Sequence, residues 1–253
     1  MTNQPFLGID IGGSGIKGAL VDLSVGDFVS DRLRIPTPAK STPAKVAQVV
    51  ARIVNSCADQ LRPNDPVGIT LPAVVTHGRT YLAANIDKSW VGADSEAIFT
   101  EKLKRRTIIV NDADAAGLAE ARYGAAKDCD GLVMVITLGT GIGSALIYRG
   151  VLIPNTELGH LEIDGFDAEK RASANAKTEE DLSYSEYIPR LQRYFSHLEE
   201  LFWPDLFVVG GGISRSSNKF LPKLRLHAPI VPAVLRNRAG IIGAAYLAAE
   251  SAK

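Results

Sequence analysis

The chain has 253 residues, enough for a large core, and chains of this length commonly divide into two modest domains. Lys and Arg total 28 and Asp and Glu also total 28, so no global charge attracts nucleic acid or an anionic membrane. We therefore expect no nucleic-acid partner and no membrane partner. Any anion site must be built from local groups.

The N-terminal apolar stretch, residues 6–20, is interrupted by glycines and Asp10, and no basic segment precedes it. It is shorter than the roughly 20 apolar residues of a transmembrane helix and lacks the form of a signal peptide. Cys57 and Cys129 form no CxxC motif and no disulfide framework. These features predict a cytoplasmic protein with reduced thiols.

The first half of the chain predicts alternating strands and helices. Thr42, followed by Pro43, is the expected N-cap of an amphipathic helix that extends towards Leu61. Further helices are expected at 95–103 and 113–123. Strands are expected at residues 6–11, 16–22, 27–35, 67–71 and 107–111.

The second half repeats the opening of the first. A strand at 132–138, a glycine turn and a returning strand at 144–148 match residues 6–22 when one residue is deleted. The polar stretch 165–181 predicts a surface loop. Ser183 and Glu186 predict a capping box that opens a helix. A strand at 206–209 and a final helix through residues 244–249 complete the chain.

This order of elements predicts an α/β fold, and the duplicated hairpins predict two lobes around a central cleft. We expect an N-terminal lobe of residues 1–112 and a C-terminal lobe of residues 113–253. The boundary is approximate, and the last helix is free to pack back on the first lobe.

Three glycine turns follow apolar strands: the first at residues 12–15, the second at 139–143 and the third at 210–212. Glycine lets a backbone approach an anion and direct N–H groups at it, although any tight hairpin also favours glycine. The first turn is followed by a predicted strand rather than a helix, so it is no dinucleotide fingerprint, and no Walker motif is present. Three such turns together favour a phosphate site.

Carboxylates lie at the ends of two predicted strands. Asp10 enters the first glycine turn, where it would suit Mg²⁺ held through water or would satisfy the N–H groups of the turn. Asn111 and Asp112 end a strand and begin a helix. Asp112 is either a helix cap or a base that accepts a hydroxyl proton, with Asn111 on a neighbouring hydroxyl. The residues alone leave these alternatives open.

Polar side chains cluster again at Glu157, His160 and Glu162, an array that suits the hydroxyls of a polyol. A zinc site is the alternative, but no cysteine lies near and the other histidines are scattered.

The basic segment, residues 215–238, contains six basic and no acidic residues. It is either a surface for a long anion or a solvated face.

Taken together these motifs resemble the ROK sugar kinases. The resemblance is carried by DIGGSGIK at 10–17, LGTGIG at 138–143, ELGH at 157–160 and VGGGI at 209–213. Within that family, NIDKSW at 85–90, ELGHLE at 157–162 and IVPAVLRN at 230–237 resemble the polyphosphate glucokinases. The likeness extends over nearly the whole chain and implies the actin-like ATPase/hexokinase fold.

The resemblance implies transfer of the terminal phosphoryl group of polyphosphate to the 6-hydroxyl of glucose, with Mg²⁺, by a homodimer. It makes Asp112 the base, and it gives the sugar contacts to Asn85, Asn111, Glu157, His160 and Glu162. It gives the phosphate site to the glycine turns and their neighbours: Gly12, Gly13, Ser14, Gly15, Lys17, Thr140, Gly141, Gly211 and Gly212.

Two departures from the family pattern bear on these expectations. The cysteine cluster that holds zinc in typical ROK proteins is absent after His160, so zinc is not expected. Only Arg215 provides a charge after the third glycine turn, where polyphosphate enzymes often have consecutive lysines.

The alternatives to a polyphosphate-dependent kinase are an ATP-dependent glucokinase of the same fold and a sugar-sensing regulator. The regulator is disfavoured because the first strand begins near Phe6 and leaves no room for a DNA-binding domain.

Overall fold

The computed structural model describes residues 4–83 and 86–253 and divides them into two compact units. Unit 1 runs to Ala119 and resumes at Arg238, and unit 2 comprises Glu120–Asn237. The division falls after residue 119 rather than after residue 112, inside the helix that begins at Asp112. The C-terminal residues belong to unit 1.

In chain order the strands are β1 (Phe6–Gly12), β2 (Gly15–Asp22), β3 (Asp27–Phe28), β4 (Leu33–Ile35), β5 (Val67–Leu71), β6 (Ala73–Thr76), β7 (Arg79–Ala83), β8 (Thr107–Asn111), β9 (Leu132–Leu138), β10 (Ile142–Tyr148), β11 (Val151–Ile153), β12 (Glu162–Ile163), β13 (Phe166–Asp167), β14 (Leu206–Gly210) and β15 (Ile230–Pro232). The helices are α1 (Pro43–Ser56), α2 (Ser95–Leu103), α3 (Asp112–Tyr123), α4 (Glu169–Ala172), α5 (Ala174–Glu179), α6 (Tyr184–Phe202) and α7 (Ala239–Ser251). None of the helices in the described ranges has both the length and the apolar character needed to cross a bilayer.

The two units are built on sheets with the same strand order. In unit 1 the order is β3-β2-β1-β5-β8, with β4 also beside β2, and in unit 2 it is β11-β10-β9-β14-β15. The opening hairpin of each sheet is antiparallel, and its first strand is followed by two parallel neighbours. The repeated order supports the duplication that the sequence predicts.

Most predicted elements are confirmed, because their periodicity reflects real burial. The helix α1 begins after Thr42 with Pro43 in its first turn, and it buries Val46, Val50 and Ile53 completely. The strand β5 is buried at every position, including the polar Thr70, as its mostly apolar sequence indicates. The capping box at the start of α6 is present in full.

The strand expected at residues 27–35 is wrong as a single element. It is two short strands, β3 and β4, which both pair with β2. Between them Ser30 leaves the strand pattern, since its Oγ accepts a hydrogen bond from the backbone N–H of Leu20 at 3.0 Å. The apolar pattern of this stretch marks both pieces but not the break.

The surface loop expected at residues 165–181 is also wrong, because this stretch forms β13, α4 and α5. Asp164 and Gly165 both have positive φ, at 55° and 80°, as the two central residues of a type I′ hairpin turn require. This turn joins β12 to β13 in register, pairing Glu162 with Asp167. The stretch lacks periodicity because each element is shorter than two helical turns.

The C-terminal helix α7 packs against the central strands of unit 1 through glycines. A Cβ atom on Gly8 would collide with the carbonyl oxygen of Ile241, and one on Gly68 with that of Ala244. Gly243 of α7 approaches the backbone of Ala115 in α3 equally closely. This close approach explains why α7 and the first turns of α3 belong to unit 1.

We predict that Gly68→Ala destabilises the protein by about 3 kcal/mol, because the new methyl group meets helix backbone that no rotamer change can move. Gly18→Ala is the matched control. Its methyl group would lie 2.6 Å from Cγ2 of Ile53, so it meets one side chain rather than helix backbone, and we expect a smaller loss of about 1 kcal/mol. Denaturant unfolding measures both. Equal stability of Gly68→Ala and the unaltered protein would contradict this packing.

Candidate active site

The carboxyl ends of β1, β5 and β8 lie at one edge of the sheet in unit 1. The strand register aligns Asp10 with Thr70 and Thr70 with Val110, and Asn111 follows at the next position. Thr70 Oγ1 donates to Asp10 Oδ1 at 3.0 Å, and Lys17 Nζ lies 3.1 Å from Oδ2. The described bonds of Asp10 therefore come from side chains and not from the N–H groups of the glycine turn.

The cap of helix α3 is Asn111. Its Oδ1 accepts the backbone N–H groups of Ala113 at 2.8 Å and Asp114 at 3.1 Å, and its Nδ2 donates to the carbonyl oxygen of Ala73 at 3.1 Å. Asn111 is almost fully buried, so these bonds fix its side chain between the end of β8 and the neighbouring strand β6. The capping function that the sequence offered to Asp112 is performed by its neighbour.

Asp112 is the first residue of α3 and is partly exposed. Its Oδ1 accepts the N–H of Ala113 at 2.9 Å, which orients the carboxylate at the positive end of the helix. Since Asn111 accepts the N–H groups of two successive residues, the cap does not depend on Asp112. The position suits a carboxylate that takes part in proton transfer.

The first glycine turn does not need glycine for its backbone conformation. None of its residues has φ in the left-handed region. The carbonyl oxygen of Gly12 accepts from Thr37 Oγ1 at 2.5 Å, and that of Ser14 accepts from Arg34 Nη2 at 3.0 Å. Both carbonyl groups are thus held by residues at and after β4. This disfavours the interpretation that the glycines merely permit a tight hairpin.

The second and third glycine turns, both in unit 2, contain glycines of two kinds. A Cβ atom on Gly141 would meet the Glu169 carboxylate, and Gly211 has a φ of 81° and lies against the backbone of Leu138. These two glycines are required by packing and conformation. A Cβ atom on Gly139 or Gly212 would meet nothing within 4 Å, so the structure leaves room for a ligand at both positions. Thr140 is exposed on the second turn.

Glu157 directly precedes the short 3₁₀ helix Leu158–His160, and His160 is the last residue of that helix. Gly159 brings this helix close to β10, because a Cβ atom there would collide with the carbonyl oxygen of Ile142. Nε2 of His160 lies 4.0 Å from Oε2 of Glu157, and Nδ1 lies 3.1 Å from Oδ2 of Asp167. A carboxylate only accepts, so Nδ1 carries the hydrogen and Nε2 of the neutral ring remains an acceptor.

The electrostatics of this pair follow from its surroundings. The hydrogen bond to Asp167 raises the pKa of His160 above its usual value, and the charges of Glu169, Asp167 and Glu157 add to this against the effect of burial. Burial raises the pKa of the Glu157 carboxyl, with His160 acting in the opposite direction. Both groups therefore take up protons at a higher pH than isolated side chains do.

Two of the expected sugar contacts are less well defined. Glu162 is exposed on β12, opposite Asp167 in the hairpin. The register places it beside the His160–Asp167 pair, and its contact with sugar stays a prediction. Asn85 lies outside the described residues.

Sequence reasoning missed Asp167 and Glu169, which both lie in the stretch expected to be a loop. Oδ1 of Asp167 accepts the N–H of Glu169 at 3.2 Å, and Oε2 of Glu169 accepts the N–H of Ile142 at 3.2 Å. Glu169 therefore connects the His160 region to the second glycine turn. The Asp164–Gly165 pair, a common type I′ turn, is the signal that would have revealed the hairpin carrying Asp167.

His160, Asp167 and Glu169 offer atoms that lie within 4.8 Å of one another, as a metal site would need. Nδ1 of His160 hydrogen-bonds to Oδ2 of Asp167, and Oε2 of Glu169 accepts the backbone N–H of Ile142. Each of the three side chains is thus engaged by protein groups. We interpret this cluster as a hydrogen-bond network that orients His160.

Parts of the basic segment, residues 215–238, are held in place by contacts with other residues of the protein. Arg238 Nη1 lies 2.5 Å from Asp27 Oδ1, and Lys219 Nζ lies 5.5 Å from the centre of the Tyr184 ring. The buried Glu120 carboxylate accepts the N–H of Leu235 at 2.8 Å and fixes the chain before Arg236. The positive charges of Arg238 and Lys219 therefore make contacts within the protein itself.

Residues 6–180 match the model of the ROK family. The chain belongs to the ROK family. Its fold is of the actin-like ATPase/hexokinase type, as the motifs implied, and the two sheets of equal strand order are the duplicated cores of that fold.

Proteins similar to this chain match nearly its whole length. A polyphosphate glucokinase of Mycobacterium tuberculosis (strain ATCC 25618 / H37Rv) is 49% identical over 245 residues, which are 96% of this chain and 91% of the relative. The crystal structure of an inorganic polyphosphate/ATP-glucomannokinase from Arthrobacter sp. strain KM has 56% identity and a TM-score of 0.94, over 98% of this chain and 100% of that one. A ROK family glucokinase from Streptomyces griseus, in complex with glucose and AMPPNP, has 25% identity and a TM-score of 0.81, over 97% and 99%.

We predict that Asp167→Asn lowers the pKa of His160 towards the usual histidine value of about 6.5, because an amide accepts the Nδ1 hydrogen without stabilising the charged ring. Titration of the histidine ring signals by NMR measures this, with His160→Gln to assign the resonance. Asp164→Asn is the matched control, since Asp164 pairs with Arg193 at 2.9 Å. A His160 pKa that is the same in Asp167→Asn and in the unaltered protein would contradict the network.

Proposed function

We propose that this ROK protein is a polyphosphate-dependent glucokinase, which transfers the terminal phosphoryl group of inorganic polyphosphate to the 6-hydroxyl of glucose. The observation that carries the proposal is its likeness, over almost the full length, to a polyphosphate glucokinase and a polyphosphate/ATP-glucomannokinase. The side chains at the strand ends and glycine turns are of the kinds that phosphoryl transfer requires, namely a base and close backbone approach to phosphate.

Asp112 is the proposed catalytic base. As the 6-hydroxyl attacks the terminal phosphorus, its proton passes to the Asp112 carboxylate, while the bond from phosphorus to the leaving polyphosphate oxygen breaks. Asn111 supports this by holding the start of α3 rigid through its cap. We also assign it a sugar contact, as the family resemblance implies.

Glu157 and His160 are the proposed sugar ligands of unit 2, with Glu162 and Asn85 as further contacts. At neutral pH the Glu157 carboxylate accepts from a sugar hydroxyl. Nε2 of neutral His160 accepts as well, and the protonated ring would donate instead. Asp167 holds the ring in place in both states.

The proposed phosphate site is formed by backbone and side-chain donors of the glycine turns. Gly12, Gly13, Ser14 and Gly15 form the first turn, with Lys17 beside it. Thr140 and Gly141 belong to the second turn and Gly211 and Gly212 to the third. The open space at Gly139 and Gly212 supports a ligand that approaches the backbone closely.

Mg²⁺ is the proposed metal, and Asp10 the residue that would hold it through water. The carboxylate already accepts from Thr70 and Lys17, so it fits a water-mediated contact better than direct coordination. The ion would neutralise charge on the donor phosphates. Lys17, which pairs with Asp10, lies at the same strand end.

The name of the Arthrobacter relative, a polyphosphate/ATP-glucomannokinase, favours two alternatives. They are ATP as a second phosphoryl donor and mannose as a second acceptor.

We also propose a cytoplasmic location, supported by the two free cysteines Cys57 and Cys129. A homodimer is proposed from the family resemblance.

We predict that Asp112→Asn lowers the turnover of glucose with polyphosphate by about 10²–10⁴-fold, the usual contribution of a general base. The dissociation constant of glucose, measured by calorimetry, should change by less than about threefold, since the amide keeps the shape of the side chain and the cap rests on Asn111. The matched control is Asp128→Asn, which makes the same change at a residue outside the proposed site.

The position of the new phosphate is checked in the same experiment by ³¹P NMR, with 6-deoxyglucose as an acceptor that must stay unmodified. Turnover of Asp112→Asn near that of the unaltered protein would remove Asp112 from the chemistry. Phosphorylation of 6-deoxyglucose would show that another hydroxyl is the acceptor.

A further inference from the structure

Arg34 lies directly on the first glycine turn, although no motif singles it out. It is the central residue of β4, and the register of β4 with β2 places it opposite Lys17. Its Nη2 donates to the carbonyl oxygen of Ser14 at 3.0 Å. Its guanidinium group is thus attached to the turn rather than pointing away into solvent.

The contact with Gly15 is closer still. A Cβ atom at position 15 would lie 2.7 Å from Nε of Arg34 and 3.0 Å from its Nη2. Gly15 does not have a left-handed φ, so its backbone conformation would accept other residues. A side chain at this position would have to displace the guanidinium group.

The charge of Arg34 is uncompensated in the part of the chain that the structure describes. Lys17 across the strand pair is neutralised by Asp10 at 3.1 Å, and Arg238 of the same unit by Asp27. Arg34 makes no ion pair there, and its described hydrogen bond uses one of five N–H donors. An arginine fixed by one bond and otherwise exposed is preorganised for a bidentate contact with an anion.

We propose that Arg34 binds the phosphate chain of the donor at the first glycine turn. The inference rests on the proposed function and adds a residue that the motifs do not assign. The chain as a whole has no net charge, so a polyanion depends on local cations of this kind. Polyphosphate is the donor to which we assign the contact, and ATP is the comparison.

The test compares Arg34→Gln, Arg34→Lys and the unaltered protein in steady-state assays with glucose and, as donor, either polyphosphate of one defined length or ATP. We expect Arg34→Gln to raise the KM for polyphosphate about tenfold, the effect of losing one charge-assisted contact, and to leave the KM for glucose within about twofold. Arg34→Lys should recover part of the loss, because it retains the charge but not the planar fork.

The matched control is Arg52→Gln, the same change at an exposed residue of α1. It should leave the KM for polyphosphate unchanged. Calorimetric titration with polyphosphate, without glucose, gives a second readout that does not depend on turnover. Thermal unfolding of each variant shows whether a loss comes from the fold.

A double-mutant cycle tests the contact between Arg34 and Gly15. Gly15→Ala should displace the guanidinium group and raise the KM for polyphosphate, and it should have a smaller effect in the Arg34→Gln background. Purely additive effects would show that Arg34 does not act through the turn.

The proposal is overturned if Arg34→Gln leaves polyphosphate binding unchanged, if it raises both KM values equally, or if its loss is confined to ATP. These outcomes differ from a failure of the proposed function. In that case the unaltered protein itself would form no glucose 6-phosphate from polyphosphate.

Discussion

The parallel alignment of β1, β5 and β8 is the constraint on which the candidate site in unit 1 depends. It places Asp10 and Thr70 side by side, with Asn111 one position further on, so that three strands deliver their polar residues to one edge. The hydrogen bond between Thr70 and Asp10 and the bond from Asn111 to the backbone at Ala73 fix this edge. The same sheet is constrained on one face, because α7 packs so closely that Gly8 and Gly68 cannot carry a side chain.

At the start of helix α3, two neighbouring residues have separate functions in the proposed site. Helix α3 needs an acceptor for its first N–H groups, and Asn111 supplies it from a buried position. The cap therefore does not conflict with the catalytic role proposed for Asp112. In unit 2 the equivalent strand ends carry glycine turns, and a separate hairpin supplies Asp167, which orients His160.

Much of the architecture could be predicted from the sequence, since long elements have strong periodicity. The bounds of β5, α2, β8 and β9 agree with their expected residues, and the duplication was visible in the repeated hairpin. The stretch 165–181 could not be predicted in the same way, because its strand and helices are too short to show a period. Its site residues, Asp167 and Glu169, were missed for that reason.

Motifs identified the site residues more readily than their roles. The sequence offered Asp112 as a cap of α3 or as a base, and only the geometry shows that the neighbouring Asn111 caps the helix. The contact of Arg34 with the first glycine turn was likewise not predictable from the motifs. Arg34 is nineteen positions from Gly15 in the chain and reaches it only because β4 pairs with β2.

The central claim is that the donor is a phosphate chain without a nucleoside. The most direct measurement is the initial rate of glucose 6-phosphate formation by the purified protein, with Mg²⁺ and with either polyphosphate or ATP over a range of concentrations. The account predicts a higher kcat/KM with polyphosphate than with ATP. A clearly higher kcat/KM with ATP, or no transfer from polyphosphate at all, would contradict it.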